Sequence, residues 1–240
     1  KIIDAGANLG FGKANNLAAQ KARGEYLLFL NSDTLVFDNA IKISLDNLKK
    51  HPEIGVYSCR LLNADKTVQP SGGYFPTLGN VFAWQFFIDD LPFIGNLIKS
   101  FHPQIGSYRK DKQMDWITGA FMLMPKSLYD QIGGFDERIF MYTEEMELCY
   151  RLRQLGYKTL YQASPSIIHL GGASGGSVFA LTSEVKYIIY FWQKHKPSWQ
   201  LPLLKFFLFI GSLLRLLIFG IIKGDAKARQ TYVQALKLII

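Results

Sequence analysis

The chain has 240 residues, 49% hydrophobic and 19% charged, which suits one large domain or a domain with an appendage and excludes a disordered acidic tail or a collagen-like repeat. Two cysteines, Cys59 and Cys149, with no CxxC pair exclude a disulfide scaffold and a thiolate zinc site, and fit a reduced, cytosolic setting. The net charge of +8 is unevenly placed: residues 1–184 hold 18 basic and 18 acidic side chains, whereas residues 185–240 hold nine basic ones and one acid, Asp225.

Lys1-Ile2-Ile3 reads as the middle of a strand with no signal peptide before it, so the expectation is a chain that lacks its N-terminal part. Up to about residue 184, short apolar runs alternate with polar, helix-like segments, the pattern of an α/β domain. The spacing predicts a short helix over Ala14–Ala22 and a buried strand over Glu25–Leu30, covered on both faces. An amphipathic helix follows at Asn39–Lys50 and a second strand at Ile54–Leu62. Residues 63–113, rich in aromatics and proline, read as long loops with short helices. Trp116–Met124 is expected to be one core strand and Ser127–Ile132 a short helix stopped by Gly133-Gly134. Glu144–Leu155 is a helix with Gly156 just past its end, followed by strand candidates at Thr159–Tyr161 and Ser166–His169 and the glycine run 171–176.

The tail, residues 185–240, contains an almost wholly apolar stretch from Leu201 to Ile222, long enough for the roughly 20 residues of a bilayer core. Lys205 and Arg215 interrupt it, which disfavours a simple crossing and favours an interfacial or re-entrant anchor, with a true span and a buried soluble helix as alternatives. At 100° per residue Lys205, Ser212, Arg215 and Lys223 fall in one arc, expected to face headgroups while Phe206, Phe207, Leu213 and Leu217 enter the acyl region. A nucleic-acid binder would carry its cations on the folded domain among aromatics. Charge concentrated beside an apolar run points instead to an anionic membrane surface.

Three groups of side chains have the composition for chemistry. Asn31-Ser32-Asp33-Thr34 ends the first strand, where α/β sheets bind ligands; Asp33 is an oxygen donor suited to a hard cation bridging to a diphosphate, although the same residues make ordinary turns. Glu144, Glu145 and Glu147 open a helix; one of them facing a cleft would serve as general base, while Glu147 and Arg151 at i,i+4 read as a surface pair. His169 ends a strand and is either structural or a metal ligand. Asn8-Leu9-Gly10-Phe11-Gly12-Lys13 is glycine-rich without the spacing of a phosphate-binding loop.

The order of these pieces (Asn8 to Asn16, Gly24 to Thr34, Gly119 to Leu123, Gly133 to Glu137 with Glu144-Glu145, and His169 to Gly172) resembles the family-2 inverting glycosyltransferases of the GT-A fold. It resembles in particular the rhamnosyltransferase-like branch that builds bacterial surface polysaccharides, and the likeness covers roughly residues 1–177. The resemblance implies a Rossmann-like mixed sheet flanked by helices, here without its first strands, in a catalytic domain of residues 1–184. It implies a divalent cation, Mg²⁺ or Mn²⁺, on Asp33 and His169, and a nucleoside-diphosphate sugar, dTDP- or UDP-linked, near Asn8, Lys13, Asn16, Asn31 and Asp33. It implies a sugar and acceptor pocket walled by Trp116, Gly119, Ala120 and Glu144. The family's base is the second acid of a Glu-Asp pair, a position held here by Glu145, one methylene longer. The implied reaction is a single in-line displacement onto a glycan or lipid-linked acceptor at the cytoplasmic face of the membrane. With no Gln-x-x-Arg-Trp, a processive polymerase is disfavoured, and a two-carboxylate glycosidase fits Asp33 poorly. The missing front strands lead to the expectation that residues 1–240 alone are inactive or poorly soluble. A non-catalytic sugar-nucleotide or glycan-binding module is the competing expectation.

Overall fold

A computed structural model describes residues 2–91, 98–171 and 177–240. In chain order the elements are α1 (Phe11–Lys21), β1 (Tyr26–Leu30), β2 (Thr34–Leu35), α2 (Ala40–Lys49), β3 (Ile54–Leu62), β4 (Val68–Gln69), β5 (Gly72–Gly73) and α3 (Leu78–Gln85). A 3-10 turn at Ile105–Tyr108 precedes β6 (Lys112–Met114), β7 (Trp116–Ile117), β8 (Phe121–Pro125), α4 (Lys126–Gln131), α5 (Glu144–Gln154) and β9 (Lys158–His169). The C-terminal helices are α6 (Ser177–His195), α7 (Gln200–Arg215), which continues as a π-helical stretch over Leu216–Ile222, and α8 (Ala226–Ile239). The chain divides into two compact units, one of residues 1–75 and 102–171 and one of residues 76–101 and 172–240. The boundary expected after residue 184 falls inside α6. The expected glycine run 172–176 and Lys1 lie outside the described residues, and Ile2-Ile3 are not in a strand.

The first unit is an α/β domain on a mixed sheet of order β1-β8-β3-β9-β2, with β4 added to β3 and β6 to β9. Only β3 and β9 run parallel; the other pairs are antiparallel. The two faces follow from strand alternation. Leu27, Phe29, Val56, Met122 and Met124 point to a core with Tyr129, Phe135, Leu148 and Leu152. Tyr57, Cys59, Leu61, Phe121 and Leu123 point to the opposite core with Ala40 and Leu48 of α2.

β1 lies at the edge of the sheet with β8 as its antiparallel partner and is covered on both faces as expected, Leu27 and Phe29 in one core and Tyr26 and Leu28 against the other, up to the exposed Leu30. Two other strand expectations change. The run 116–124 is two strands because the chain changes sheets at Thr118–Ala120: β7 pairs with β5 in a separate two-stranded sheet, β8 pairs with β1 and β3, and between them the Ala120 amide turns to the Thr118 hydroxyl. The two short strands after α5 are one, β9, whose register against β3 shifts between Ser58 and Arg60, where Pro165 cannot donate to a ladder. Among its described residues, segment 63–113 holds the short helix α3 and the 3-10 turn, as expected, and adds β4, β5 and the start of β6.

The second unit is helical. Thr77 and Asn80 form a reciprocal cap on α3. Phe82 of α3 meets Phe207 of α7 with ring centroids 5.2 Å apart. Arg215 is buried, donates to Gln85 O and Trp84 O at 2.6 Å each, and lies over the Phe87 ring at 4.2 Å. The arc expected to face headgroups therefore faces inward at Ser212 and Arg215, because a guanidinium here satisfies the free carbonyls at the end of α3. Of the residues expected to enter the acyl region, Phe206, Leu213 and Leu217 are exposed, whereas Phe207 is half-buried against Phe82.

Candidate active site

The pairing of β2 with the end of β9 assembles the first half of the site. Thr34 stands opposite His169, and the Leu170 amide donates to Asp33 O at 2.9 Å. This register sets Asp33 Oδ1 3.3 Å from His169 Nε2, and Asn31 Nδ2 3.1 Å from the same nitrogen. The other ring nitrogen, Nδ1, lies 2.7 Å from Gln69 Oε1. Thr34 Oγ1 donates to Asn31 O and closes the turn on which Asp33 sits.

The second half is built on the start of α5. Tyr142 and Thr143 have φ of +67° and +92°, a strained conformation for a β-branched residue, and that turn aims the first helical residues inward. Glu145 is half-buried, and its Oε1 accepts the Gly119 amide at 2.8 Å. A Cβ at Gly119 would lie 2.3 Å from Phe11 Cζ and 3.1 Å from Glu145 Oε1, so the absence of a side chain there permits the contact. One residue on, Ala120 O accepts the Asn31 amide at 3.2 Å. Gly119-Ala120 thus joins Glu145 to the turn carrying Asn31 and Asp33, and the break between β7 and β8 is what frees these two peptide groups.

Burial pushes the Glu145 carboxyl above its usual range, while the Gly119 N–H opposes the shift. Glu144 is fully buried, its Oε2 has no hydrogen-bond partner, and burial, then the neighbouring Glu145 charge, holds its carboxyl well above the carboxylate range. Glu147 is not a surface residue: it is fully buried and paired with Arg151 at 2.7 Å, and Arg151 also donates to Ile132 O and Gly134 O. The pair ties α5 to the turn before it, because a buried carboxylate needs a fixed cation and the guanidinium has donors left for carbonyls.

The remaining expected residues serve the loops around the site. Asn8 Oδ1 accepts the Gly10 amide at the start of α1, and Lys13 lies 3.9 Å from Glu137. Asn16 is buried; its amide donates to Phe135 O and Glu137 Oε1, and its Oδ1 accepts the Phe135 amide and the Tyr129 hydroxyl. Trp116 donates to Tyr74 O at 3.2 Å. The structure brings together Asn31, Asp33, Gly119, Ala120, Glu145 and His169, and ties Asn8, Lys13 and Asn16 to α1 and the loop 135–137. Gln69, which clasps His169, and Phe11, which abuts Gly119, carry no signal in the sequence.

The spacing of the donors fits a divalent cation. Asp33 Oδ1 and His169 Nε2 are 3.3 Å apart, and adjacent ligands of an octahedral cation bonded at about 2.0–2.1 Å stand about 2.9 Å apart. The Asp33 carboxylate suits Mg²⁺ or Mn²⁺, and the His169 imidazole matches a transition metal such as Mn²⁺ better than Mg²⁺. The described residues contain no cluster of three or more His, Cys, Asp or Glu for a metal, so these two protein ligands would leave positions for diphosphate oxygens.

Residues 2–185 match the model of the family described as "Glycosyltransferase like family 2". The chain is 27% identical over 229 residues to N-acetylglucosaminyl-diphospho-decaprenol L-rhamnosyltransferase of Mycobacterium tuberculosis, spanning 85% of this chain and 70% of that protein. It is 28% identical over 183 residues to rhamnosyltransferase WbbL of Escherichia coli, spanning 73% and 66%. The crystal structure of GalNAc-T7 with UDP, GalNAc and Mn²⁺ superposes on 96% of this chain and 42% of that one, with a TM-score of 0.52 at 17% identity, a likeness of fold alone.

Proposed function

The chain belongs to the family-2 glycosyltransferases, and from that premise we propose that it moves one sugar from a nucleoside-diphosphate donor to a lipid-linked glycan with inversion. Rhamnose from a dTDP donor is the sugar suggested by the branch, and cell-surface polysaccharide the product. The observation that carries the reading is the link through Gly119-Ala120, which holds a carboxylate, Glu145, against the turn that bears Asp33 and, beside it, His169.

Glu145 is suited to take the acceptor's proton. It is fixed by one backbone donor, half-open, and in surroundings that favour protonation. As the acceptor O–H bond breaks toward Glu145, the oxygen bonds to the anomeric carbon from the face opposite the diphosphate, whose bond to that carbon breaks. Asp33 and His169 would hold the divalent cation. When bound, it supplies positive charge against the departing diphosphate. Asn31 and Gln69 hold the His169 ring in place. The buried Glu144 stands next to Glu145 in the chain, and burial together with the Glu145 charge favours its protonated form.

The proposal places the enzyme on the cytoplasmic face of the membrane. Trp199, Leu203, Phe206, Leu213, Leu217 and Ile221 recur every three to four residues or a multiple of that and are exposed, forming one apolar stripe on α7 and its extension. Gln200–Ile222 is long and apolar enough to cross a bilayer, but its two cations and the inward tether of Arg215 favour lying in the interface. With nine cations and one acid in residues 185–240, an anionic lipid surface complements this stripe, and a second copy would bring like charge together.

The test is Glu145→Gln against Glu145→Asp in the full-length protein. Gln is expected to lower kcat by about 10²–10⁴-fold with donor binding kept, and Asp to retain part of the turnover. A Gln variant as fast as wild type removes Glu145 as base; donor binding without turnover in wild type and both variants identifies a binding module instead.

A further inference from the structure

The contacts around His169 form a directed series of hydrogen bonds. It begins at Asp65, an exposed carboxylate in the hairpin between β3 and β4, which can only accept. The Thr67 hydroxyl donates to Asp65 Oδ1 at 2.6 Å, and that hydroxyl has one proton. Thr67 Oγ1 is therefore an acceptor toward Asn63 Nδ2, 2.9 Å away, which orients the Asn63 amide with its oxygen outward. Asn63 Oδ1 in turn accepts from Gln69 Nε2 at 2.9 Å, and His169 O accepts from the same nitrogen at 3.3 Å. With its NH₂ committed to two carbonyl oxygens, Gln69 turns Oε1 toward His169 Nδ1 at 2.7 Å. A carbonyl oxygen there requires a proton on Nδ1.

We propose that Gln69, oriented by Asn63, Thr67 and Asp65, is a positioning residue that fixes His169 as the Nδ1–H tautomer and so presents a bare Nε2 as the cation-binding atom. One contact at the other end of the ring agrees. Asn31 Nδ2 is a donor placed 3.1 Å from Nε2, the partner a bare nitrogen takes. Asp33 Oδ1, 3.3 Å away, then faces Nε2 as a second lone-pair donor, an arrangement that a shared cation relieves. The hairpin that carries this series packs Val68 on Tyr108, Met114 and Tyr161, and its two-residue strand β4 sets the next side chain, Gln69, beside His169.

The inference rests on the cation reading of Asp33 and His169, and the tests separate the two. In the full-length protein labelled with ¹⁵N-histidine, long-range ¹H–¹⁵N spectra recorded without metal at alkaline pH are expected to show His169 protonated on Nδ1; protonation on Nε2 overturns the proposal. Mn²⁺ dissociation constants, read from the EPR signal of free Mn²⁺, are expected to rise about 10–100-fold in Gln69→Met, which lacks the acceptor. They are expected to stay within roughly threefold of wild type in Gln69→Glu, which keeps it. Equal binding by wild type and Gln69→Met overturns the relay alone, whereas a wild type that binds no Mn²⁺ overturns the cation reading. The wild-type spectrum decides the tautomer even if Gln69→Met does not fold.

Discussion

Gly119→Ala is the smallest change that strikes the link between the two halves of the site. The added methyl would lie 2.3 Å from Phe11 Cζ, 2.8 Å from Phe11 Cε1 and 3.1 Å from Glu145 Oε1. Favourable carbon contacts begin near 3.5 Å, so the ring and the strand break must separate by about 1.2 Å. The Phe11 ring has little room to yield, because its edge packs on Phe135 at a centroid distance of 5.6 Å. A displacement of that size takes the Gly119 amide, now 2.8 Å from Glu145 Oε1, out of hydrogen-bond range. Overpacking costs about 1–3 kcal/mol of stability, whereas a base misplaced by about 1 Å costs on the order of 10²-fold in rate. The variant is therefore expected to remain folded in a urea titration while kcat for sugar transfer falls about 10²-fold. Phe11→Ala combined with Gly119→Ala removes the colliding ring and is expected to recover most of the lost rate, a coupling that a double-mutant cycle reads directly. Wild-type turnover in Gly119→Ala, or no recovery in the pair, would refute the claim that this peptide group places the base.

Three further outcomes follow from the geometry. Glu144 has a native pKa raised above its unfolded value, so its burial destabilises the fold progressively as pH rises through that interval. Glu144→Gln should therefore gain urea stability over wild type at pH 7.5 and not at pH 4, and a gap that is constant with pH contradicts this. Because burial raises the Glu145 carboxyl, the acid limb of kcat/KM should lie above the ordinary carboxylate range and move downward in Glu145→Asp only if Asp is less desolvated; a limb at or below the ordinary Glu value counts against Glu145 as base. Phe206→Asp with Leu217→Asp should lower binding to vesicles containing anionic lipid by about 10²-fold or more, from about 1.5–3 kcal/mol per large apolar side chain, and unchanged flotation removes the α7 stripe as the attachment.

The elements with strong local signals were legible in the sequence: β3 has the expected bounds Ile54–Leu62, and α5 begins at Glu144 as expected, with Gly156 at φ +90° beyond its end. What periodicity cannot express is a chain that changes sheets within one apolar run. Between β7 and β8 the Ala120 amide turns to the Thr118 hydroxyl, the run that reads as one strand splits, and the split exposes the peptide group that holds Glu145. Asp33 and His169 stand out in the sequence by residue type and strand-end position alone, and the β2–β9 register that unites them is a long-range pairing. Arg215 shows the converse error: helical projection groups polar residues on one face but does not say whether water, headgroups or carbonyl oxygens satisfy them. Gln69 is illegible for the same reason, since its contact with His169 follows from the direction of hydrogen bonds that run from the β3–β4 hairpin through β4 to the end of β9.

Metal-dependent transfer by Asp33→Asn, measured beside wild type, tests the central claim most directly. Full-length wild-type protein treated with chelator should lose transfer from the nucleotide sugar and regain it on addition of Mn²⁺, and Asp33→Asn should remain at least about 10²-fold slower at every Mn²⁺ concentration. Chelator-resistant transfer together with an unimpaired Asp33→Asn would contradict the account.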